Sequence, residues 1–243
     1  MDIDDPTNFP TTRFSAIRGL RDTDPDRRRV SWDALISVYW RPAYKYLRMR
    51  WNVDSENAQD IIQSFFMTAF EKQYLEDFDP TQARFRTYLR TCLDRFVQKE
   101  QTAACRIKWG GQFEHRSLDF AAAERELNAV ATDPSSNPEQ IFDQEWVRSI
   151  LVLSIHKFKY HCDTNDKATQ FQLFQTYDLG DSDTLTYASL AAQFSLSEDT
   201  VTNYLAWSRR QFRQTVLETI AELTANEEEY REEVLAVLGI KLA

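Results

Sequence analysis

Glycine and proline are scarce: five and seven in 243 residues. So few chain breakers cannot supply the turns of a many-stranded β fold, and they suit long helices. Cysteine is scarcer still. Cys92, Cys105 and Cys162 are odd in number and none sits in a CxxC pair, so no disulfide framework is implied and a reducing cytoplasm is the expected location. Long apolar runs are missing. The longest aliphatic stretch, ILVL at 150–153, falls far short of the roughly 20 residues that span a bilayer. The opening MDIDDPTNFP is acidic and has no apolar segment of the kind a signal peptide needs. Positive charge is in deficit, 29 Lys and Arg against 38 Asp and Glu, a formal net charge of −9. Taken whole, that argues against non-specific nucleic-acid binding, though the distribution of charge matters more than its sum.

The chemistry-bearing motifs of enzymes are also missing. There is no phosphate-cradling glycine loop, no GxSxG and no HExxH, and no acid pair is fixed by a motif for proton transfer. His156, His161 and Cys162 carry ligand atoms, but five residues on one helix turn a side chain about 140° away, so 156 and 161 do not converge on a metal. The chain is therefore expected to be no enzyme and to hold neither metal nor cofactor.

What is present is 42 % hydrophobic and 13 % aromatic residues, enough for a buried core, patterned at helical spacing. The periodicity predicts a helix over 31–51 interrupted or kinked at Pro42. A second is predicted over about 55–73 with Ser55 as N-cap and the stripe Ala58, Ile61, Ile62, Phe65, Phe66, Ala69. A third covers about 84–106, with Phe85, Leu89, Leu93, Phe96 and Val97 inward. Residues 107–138 are rich in loop formers, with Gly110, Gly111 and TDPSSNP at 132–138, and read as a linker with a short helix near 119–129. Pro138 opens a long helix and another covers about 165–177. The acidic segment at 226–239 closes the chain as a helix with Tyr230, Val234, Leu235, Val237 and Leu238 on its apolar side. No strand alternation and no internal repeat is found. The expected fold is all-α: two small helical domains joined by a linker, with boundaries at 12–108, 109–138, 139–224 and 225–243.

Two stretches carry recognisable patterns. YASLAAQFSLSEDTVTNYLAWSRRQF reads as a helix-turn-helix. Leu190, Ala191 and Phe194 face inward, Leu196 plugs the corner, Ser197 caps the second helix, and Val201 and Leu205 pack back. Glu198, Thr200, Thr202, Asn203, Trp207 and Arg210 are left outside to read base edges in a major groove, with Arg209, Arg210 and Arg213 on phosphates. The turn position that often holds glycine is Ser195, where a left-handed backbone is costly. The packing alternative is a helical hairpin inside a bundle. Separately, residues 84–108 hold Arg84, Arg86, Arg90, Arg95, Lys99, Arg106 and Lys108 against Asp94 and Glu100, a local charge of +5. Arg84, Tyr88, Thr91, Arg95 and Gln98 share a face, and basic groups interleaved with an aromatic can hold an unstacked strand. The alternative there is a solvated face beside the core.

Together these stretches resemble bacterial sigma factors of the extracytoplasmic-function type. AQDIIQSFFMTAF resembles region 2.2, with the D-x-x-Q-x-x-F pattern at Asp60, Gln63 and Phe66. ARFRTYLRTCLDRF resembles region 2.3, and the helix-turn-helix resembles region 4.2. NPEQIFDQEWVRSIL is similar to the helix opening region 4 in a branch often linked to serine/threonine kinases. The resemblance spans about residues 12–220. It implies that domain 2 binds the clamp helices of the β′ subunit of core RNA polymerase through Asn57, Asp60, Gln63, Ser64 and Met67. The −10 promoter element would meet Arg84, Arg86, Tyr88, Thr91, Arg95, Gln98 and Lys99. The −35 element would meet Glu198, Thr200, Thr202, Asn203, Trp207, Arg209, Arg210 and Arg213. Thr202 and Trp207 stand where relatives often have basic residues.

The polymerase face of region 2.2 is usually acidic. Here Asn57, Gln59 and Ser64 stand where acids commonly sit, and an amide loses the charge-assisted share of a hydrogen bond. Phosphorylation adds about −1.5 to −2 charge, so Ser55 and Ser64 are the candidate sites for a serine/threonine kinase, with an anti-sigma factor as another candidate partner. The alternative is that Asp60, Glu56 and Glu71 supply enough charge unmodified. Outside this resemblance, the chain would be a non-sigma helix-turn-helix regulator, a polymerase-binding antagonist that never melts DNA, or, last, a hydrolase built on the acidic clusters.

Overall fold

The computed structural model describes residues 15–102, 118–130, 137–180 and 185–242. The expectations for residues 12–14, for Arg106, Lys108 and Cys105, for Gly110 and Gly111, and for most of the 132–138 loop lie outside these. Every regular element among the described residues is helical, so the chain is all-α. None of these helices is long and apolar enough to cross a membrane. The chain divides into two compact units. Of the described residues, 150–220 form unit 1; residues 15–149 and 221–242 form unit 2. The division falls within two helices, after Ser149 and after Ile220.

Unit 2 begins with α1 (Ala16–Gly19) and α2 (Pro25–Trp51). α2 starts earlier than its apolar pattern, because Asp24 caps it, accepting from Asp26 N, and Pro25 fits the first turn, where no donor is needed. Pro42 lies inside this single helix. α3 (Ser55–Lys72) buries Ala58, Ile62, Phe65, Phe66 and Ala69, while Ile61 is half-buried. Its N-cap is Asp54, whose carboxylate accepts from Asn57 N at 3.0 Å, and not Ser55. The helix ends at left-handed Gln73, followed by a 3-10 turn, Tyr74–Asp77. α4 (Phe85–Thr102) turns Phe85, Leu89, Leu93 and Val97 inward, against Tyr39, Phe78 and the α3 aromatics.

Residues read as linker also contribute to this unit. α5 (Phe120–Val130) sets Phe120 against Trp40 and Tyr44, at 5.2 Å from each ring. The first half of α6 (Pro138–Thr164) inserts Phe142 beside Tyr46 and buries Trp146. α10 (Glu227–Leu238) completes the unit, with Tyr230 and Val234 buried and Leu235 exposed, contrary to its expected place on the apolar side. The chain just before α10 is tied to the start of the unit: Ser15 Oγ donates to the Thr224 carbonyl at 2.8 Å, and Arg18 donates twice to the Ala225 carbonyl.

Unit 1 holds the rest of α6, then α7 (Ala168–Tyr177), α8 (Tyr187–Phe194) and α9 (Glu198–Glu222) up to Ile220. One apolar cluster joins Phe158, Cys162, Phe171 and Phe174, with Trp207 and Phe212 packed on it. A second joins Leu173, Leu190, Ala191, Val201 and Leu205, with Phe194 and Leu196 at its edge.

Candidate nucleic-acid interface

The helix-turn-helix of unit 1 is built from short-range rules. Thr186 caps α8 in a reciprocal capping box with Ser189. Ser195 then turns the chain in the left-handed region at φ 56°, ψ 42°. Ser197 caps α9, its Oγ accepting from Thr200 N at 3.2 Å. A serine side chain crowds that left-handed backbone, so Ser195→Gly should relieve the strain and stabilise unit 1 by about 0.5–1 kcal/mol net of glycine's extra unfolded-chain entropy. A rise in the thermal midpoint is the expected result; no change would mean the serine is at ease there.

On the outer face of α9, Glu198, Thr202, Asn203, Arg210 and Arg213 are exposed. Thr202 turns its hydroxyl back to the Glu198 carbonyl at 2.9 Å. Three residues expected on this face are engaged elsewhere. Trp207 is half-buried, tilted against Phe158 at 6.1 Å and stacked on His161 at 6.5 Å. Thr200 is half-buried and shares a 2.8 Å hydroxyl contact with Ser197. Arg209 is exposed, but its guanidinium donates to Asp178 at 2.9 Å and lies over the Tyr177 ring at 5.6 Å. That contact with Asp178 also pushes the Arg209 pKa further up.

The basic helix of unit 2 divides in two. Thr91, Arg95, Gln98 and Lys99 are exposed and fall on one stripe at i, i+4, i+7 and i+8. The N-terminal end is engaged within the unit. Arg84 donates to Glu232 at 2.5 Å. Arg86, expected on the DNA face, is only 6 % exposed; it pairs with Glu233 at 3.0 Å and Asp143 at 3.3 Å, and lies 5.0 Å over the Trp146 ring. Glu229 accepts the Phe85 N–H at 2.6 Å and the Ala225 N–H at 2.8 Å. Tyr88 is half-buried, its hydroxyl donating to the Tyr74 carbonyl at 2.8 Å and its ring against Phe78. Arg90 also faces inward, its guanidinium over the rings of Tyr46 and Phe142.

On α3, Asn57 and Asp60 are exposed and Gln63, Ser64 and Met67 half-buried, so the stripe expected to face the polymerase lies open along the helix. The amide at 57 is used locally, with Asn57 Nδ2 donating to the Asp54 carboxylate at 2.5 Å. The Asn57 backbone N–H, with that amide second, holds the Asp54 carboxyl below its ordinary value. An acid at 57 would set carboxylate against carboxylate, so Gln59 is the position where charge can be added cleanly. Gln59 donates to Ser55 Oγ at 3.2 Å, and Ser55 also meets the Tyr44 hydroxyl at 3.0 Å.

Ser55 and Gln59 line an open cleft of about 670 Å³ with Asp119, Phe120, Glu124 and Arg125 of the α5 end. Tyr44 donates to Glu124 at 2.7 Å, and Arg48 holds the same carboxylate and the Val53 carbonyl. The Arg48 contact lowers the Glu124 carboxyl pKa, while burial of Tyr44 raises its phenol. A phosphate on Ser55 would enter a site already holding a carboxylate. Cys92 and Cys162 are buried free thiols, and among the described residues no three His, Cys, Asp or Glu side chains converge as metal ligands.

Sequence reasoning missed the buried charges. Lys45 lies in the aromatic-rich run WRPAYKYLRMRW and is 4 % exposed; it donates to Glu145 at 2.6 Å and Glu126 at 2.9 Å. A lone lysine at a core-facing helical position was the signal that could have found it. Glu229 and Glu233, flanking buried Tyr230 and Val234, were another. No family model, no curated protein and no solved structure matches the chain.

Proposed function

We propose that this chain is a two-domain sigma-type transcription initiation factor acting in the cytoplasm with core RNA polymerase and promoter DNA. The observation that carries the reading is the helix-turn-helix, with Asn203, Arg210 and Arg213 exposed along its second helix. A helix presenting a short amide near its start and arginines two turns on fits a major groove, bases first and phosphates after. The open α3 stripe around Asp60 supports a protein partner with basic helices. The exposed Thr91, Arg95, Gln98, Lys99 stripe supports contact with a strand of opened DNA. In this role the protein makes and breaks no bond. Added charge on the α3 stripe, by a kinase acting on Ser64, would tighten the polymerase contact, whereas at Ser55 it would meet the Glu124 carboxylate; an anti-sigma factor would compete for the same stripe.

Run-off transcription with purified core polymerase tests the reading. The full chain should start transcripts from its own promoters, and Asp60→Arg should abolish holoenzyme assembly while far-UV circular dichroism stays unchanged. An Asp60→Arg protein that assembles as well as the parent would remove α3 as the polymerase face. Duplex binding without polymerase, and no transcripts with it, would instead identify a helix-turn-helix regulator. Asn203→Ala should lose about 1–3 kcal/mol of discrimination at one base pair, the range for a bidentate amide–adenine contact. Competition titrations with promoter and random duplex read this, and equal losses on both would reduce Asn203 to a backbone contact.

A further inference from the structure

We propose that α10 is an intramolecular competitor for nucleic acid: its carboxylates occupy the N-terminal arginines and amide of α4, so that in the free chain only the later half of the basic helix is open to a strand. This rests on the reading of α4 as a strand-binding helix.

Three acids of α10 take three positions a phosphate backbone would use. Glu232 holds Arg84, Glu233 holds Arg86, and Glu229 accepts the Phe85 N–H at the positive end of the helix. A carboxylate on a helix N-terminal amide and on guanidinium groups reproduces the contacts these groups make to phosphate oxygens. The seat also has a cost built in. Glu229 and Glu233 stand one helical turn apart, both buried, and like charges at that spacing repel. One Glu233 oxygen, Oε2, is buried with no hydrogen-bond partner. Burial pushes the Glu233 carboxyl up to about 7 against the opposing pull of Arg86. Tyr230 and Val234 offset that cost by packing into the unit. A contact held by apolar anchors and weakened by its own charges can yield to a polyanion, whose phosphates would satisfy the same arginines in water.

Deleting α10 would remove Tyr230 from the core, so the test uses a surface position. Glu232 is 45 % exposed at its side chain, and Glu232→Gln frees Arg84 without opening the core. The probe is a short labelled single-stranded oligonucleotide of adenine and thymine, titrated with the full chain over a series of salt concentrations. Glu232→Gln should tighten binding about three- to tenfold at low salt and steepen the log–log salt dependence by about 0.7, the increment for one more phosphate contact on a single strand. The gain should vanish in the Arg84→Ala background. Glu228→Gln removes an exposed charge from the same helix and should give a smaller gain without the steeper slope.

A Glu232→Gln slope equal to the parent's overturns the proposal, as does a gain that survives Arg84→Ala or is matched by Glu228→Gln. Arg95→Ala separates this from the underlying reading. It should weaken the parent's binding and flatten its slope, and if it changes neither, α4 is not a strand-binding helix and the competitor has nothing to compete for.

Discussion

Arg86→Met should destabilise unit 2 by about 3–5 kcal/mol, the range for removing one partner of a buried ion pair. The methionine keeps most of the side-chain volume beside Trp146, so the loss comes mainly from charge. Glu233 is 2 % exposed and its second oxygen already lacks a partner; without Arg86 both oxygens are stranded, with Glu229 and Asp143 nearby. The deficit should depend on pH in a definite direction. Burial raises the Glu233 carboxyl from 4.5 to about 7 in the folded protein, so its stabilising share is fully present below about 4.5 and is lost as pH rises through about 7. Removing Arg86 takes away the main group pulling that value down and moves the loss to higher pH. The variant should therefore be less impaired at pH 5.5 than at pH 8, where the carboxyl must stay charged or take up a proton at a cost. Urea unfolding at both pH values is the measurement. Equal deficits would mean Glu233 is not the group left uncompensated, and Arg86→Met with Glu233→Gln should recover part of the loss at pH 8.

The second large effect is expected at Lys45. Its ammonium is the buried centre of a network joining α2, α5 and α6, with Glu145 at 2.6 Å and Glu126 at 2.9 Å. Glu126 also has Arg148 at 2.8 Å and Arg41 at 3.3 Å, so it would keep two partners. Glu145 would keep none of its ion pair, and its Oε1 is already buried without a partner. Lys45→Met should cost about 3–5 kcal/mol for that stranded charge. Replacing both ends, Lys45→Met with Glu145→Leu, should recover most of it, since exchanging a whole buried pair for apolar groups is often close to neutral. A double-mutant cycle in guanidinium reads the coupling directly. If the double variant is as unstable as Lys45→Met alone, the lysine acts through packing and not through Glu145.

The helices were legible in the sequence wherever one apolar stripe met one core. The inward faces of α3, α4, α8 and the first turns of α9 follow from spacing, and Ser195 and Ser197 from turn and cap chemistry. The start of α2 was not legible, because Asp24 and Pro25 precede any apolar repeat. The candidate site was legible only in part. Periodicity gives the face a residue occupies on its own helix, but not which distant segment covers that face. Arg86 and Tyr88 have the spacing of solvent-facing groups, and it is α10, α6 and the Tyr74 turn that enclose them. Trp207 reads as outward on α9 alone, and α6 brings Phe158 and His161 to meet it. Lys45, Glu145, Glu229 and Glu233 were hidden for the opposite reason: polar residue types signal exposure, and their burial depends on partners about 50 to 150 positions away.

The join between Ser15 and Thr224 spans 209 residues of chain. During synthesis, unit 1 leaves the ribosome as one stretch and can close on its own neighbours. Unit 2 has residues 15–149 outside long before residues 221–242 arrive to seat Tyr230 and cap Phe85. Contacts of such separation form late, because the loop must close before they reward it. Loss of residues 221–242 would thus leave the helix-turn-helix formed and unit 2 without the segment that seats Tyr230 and caps Phe85.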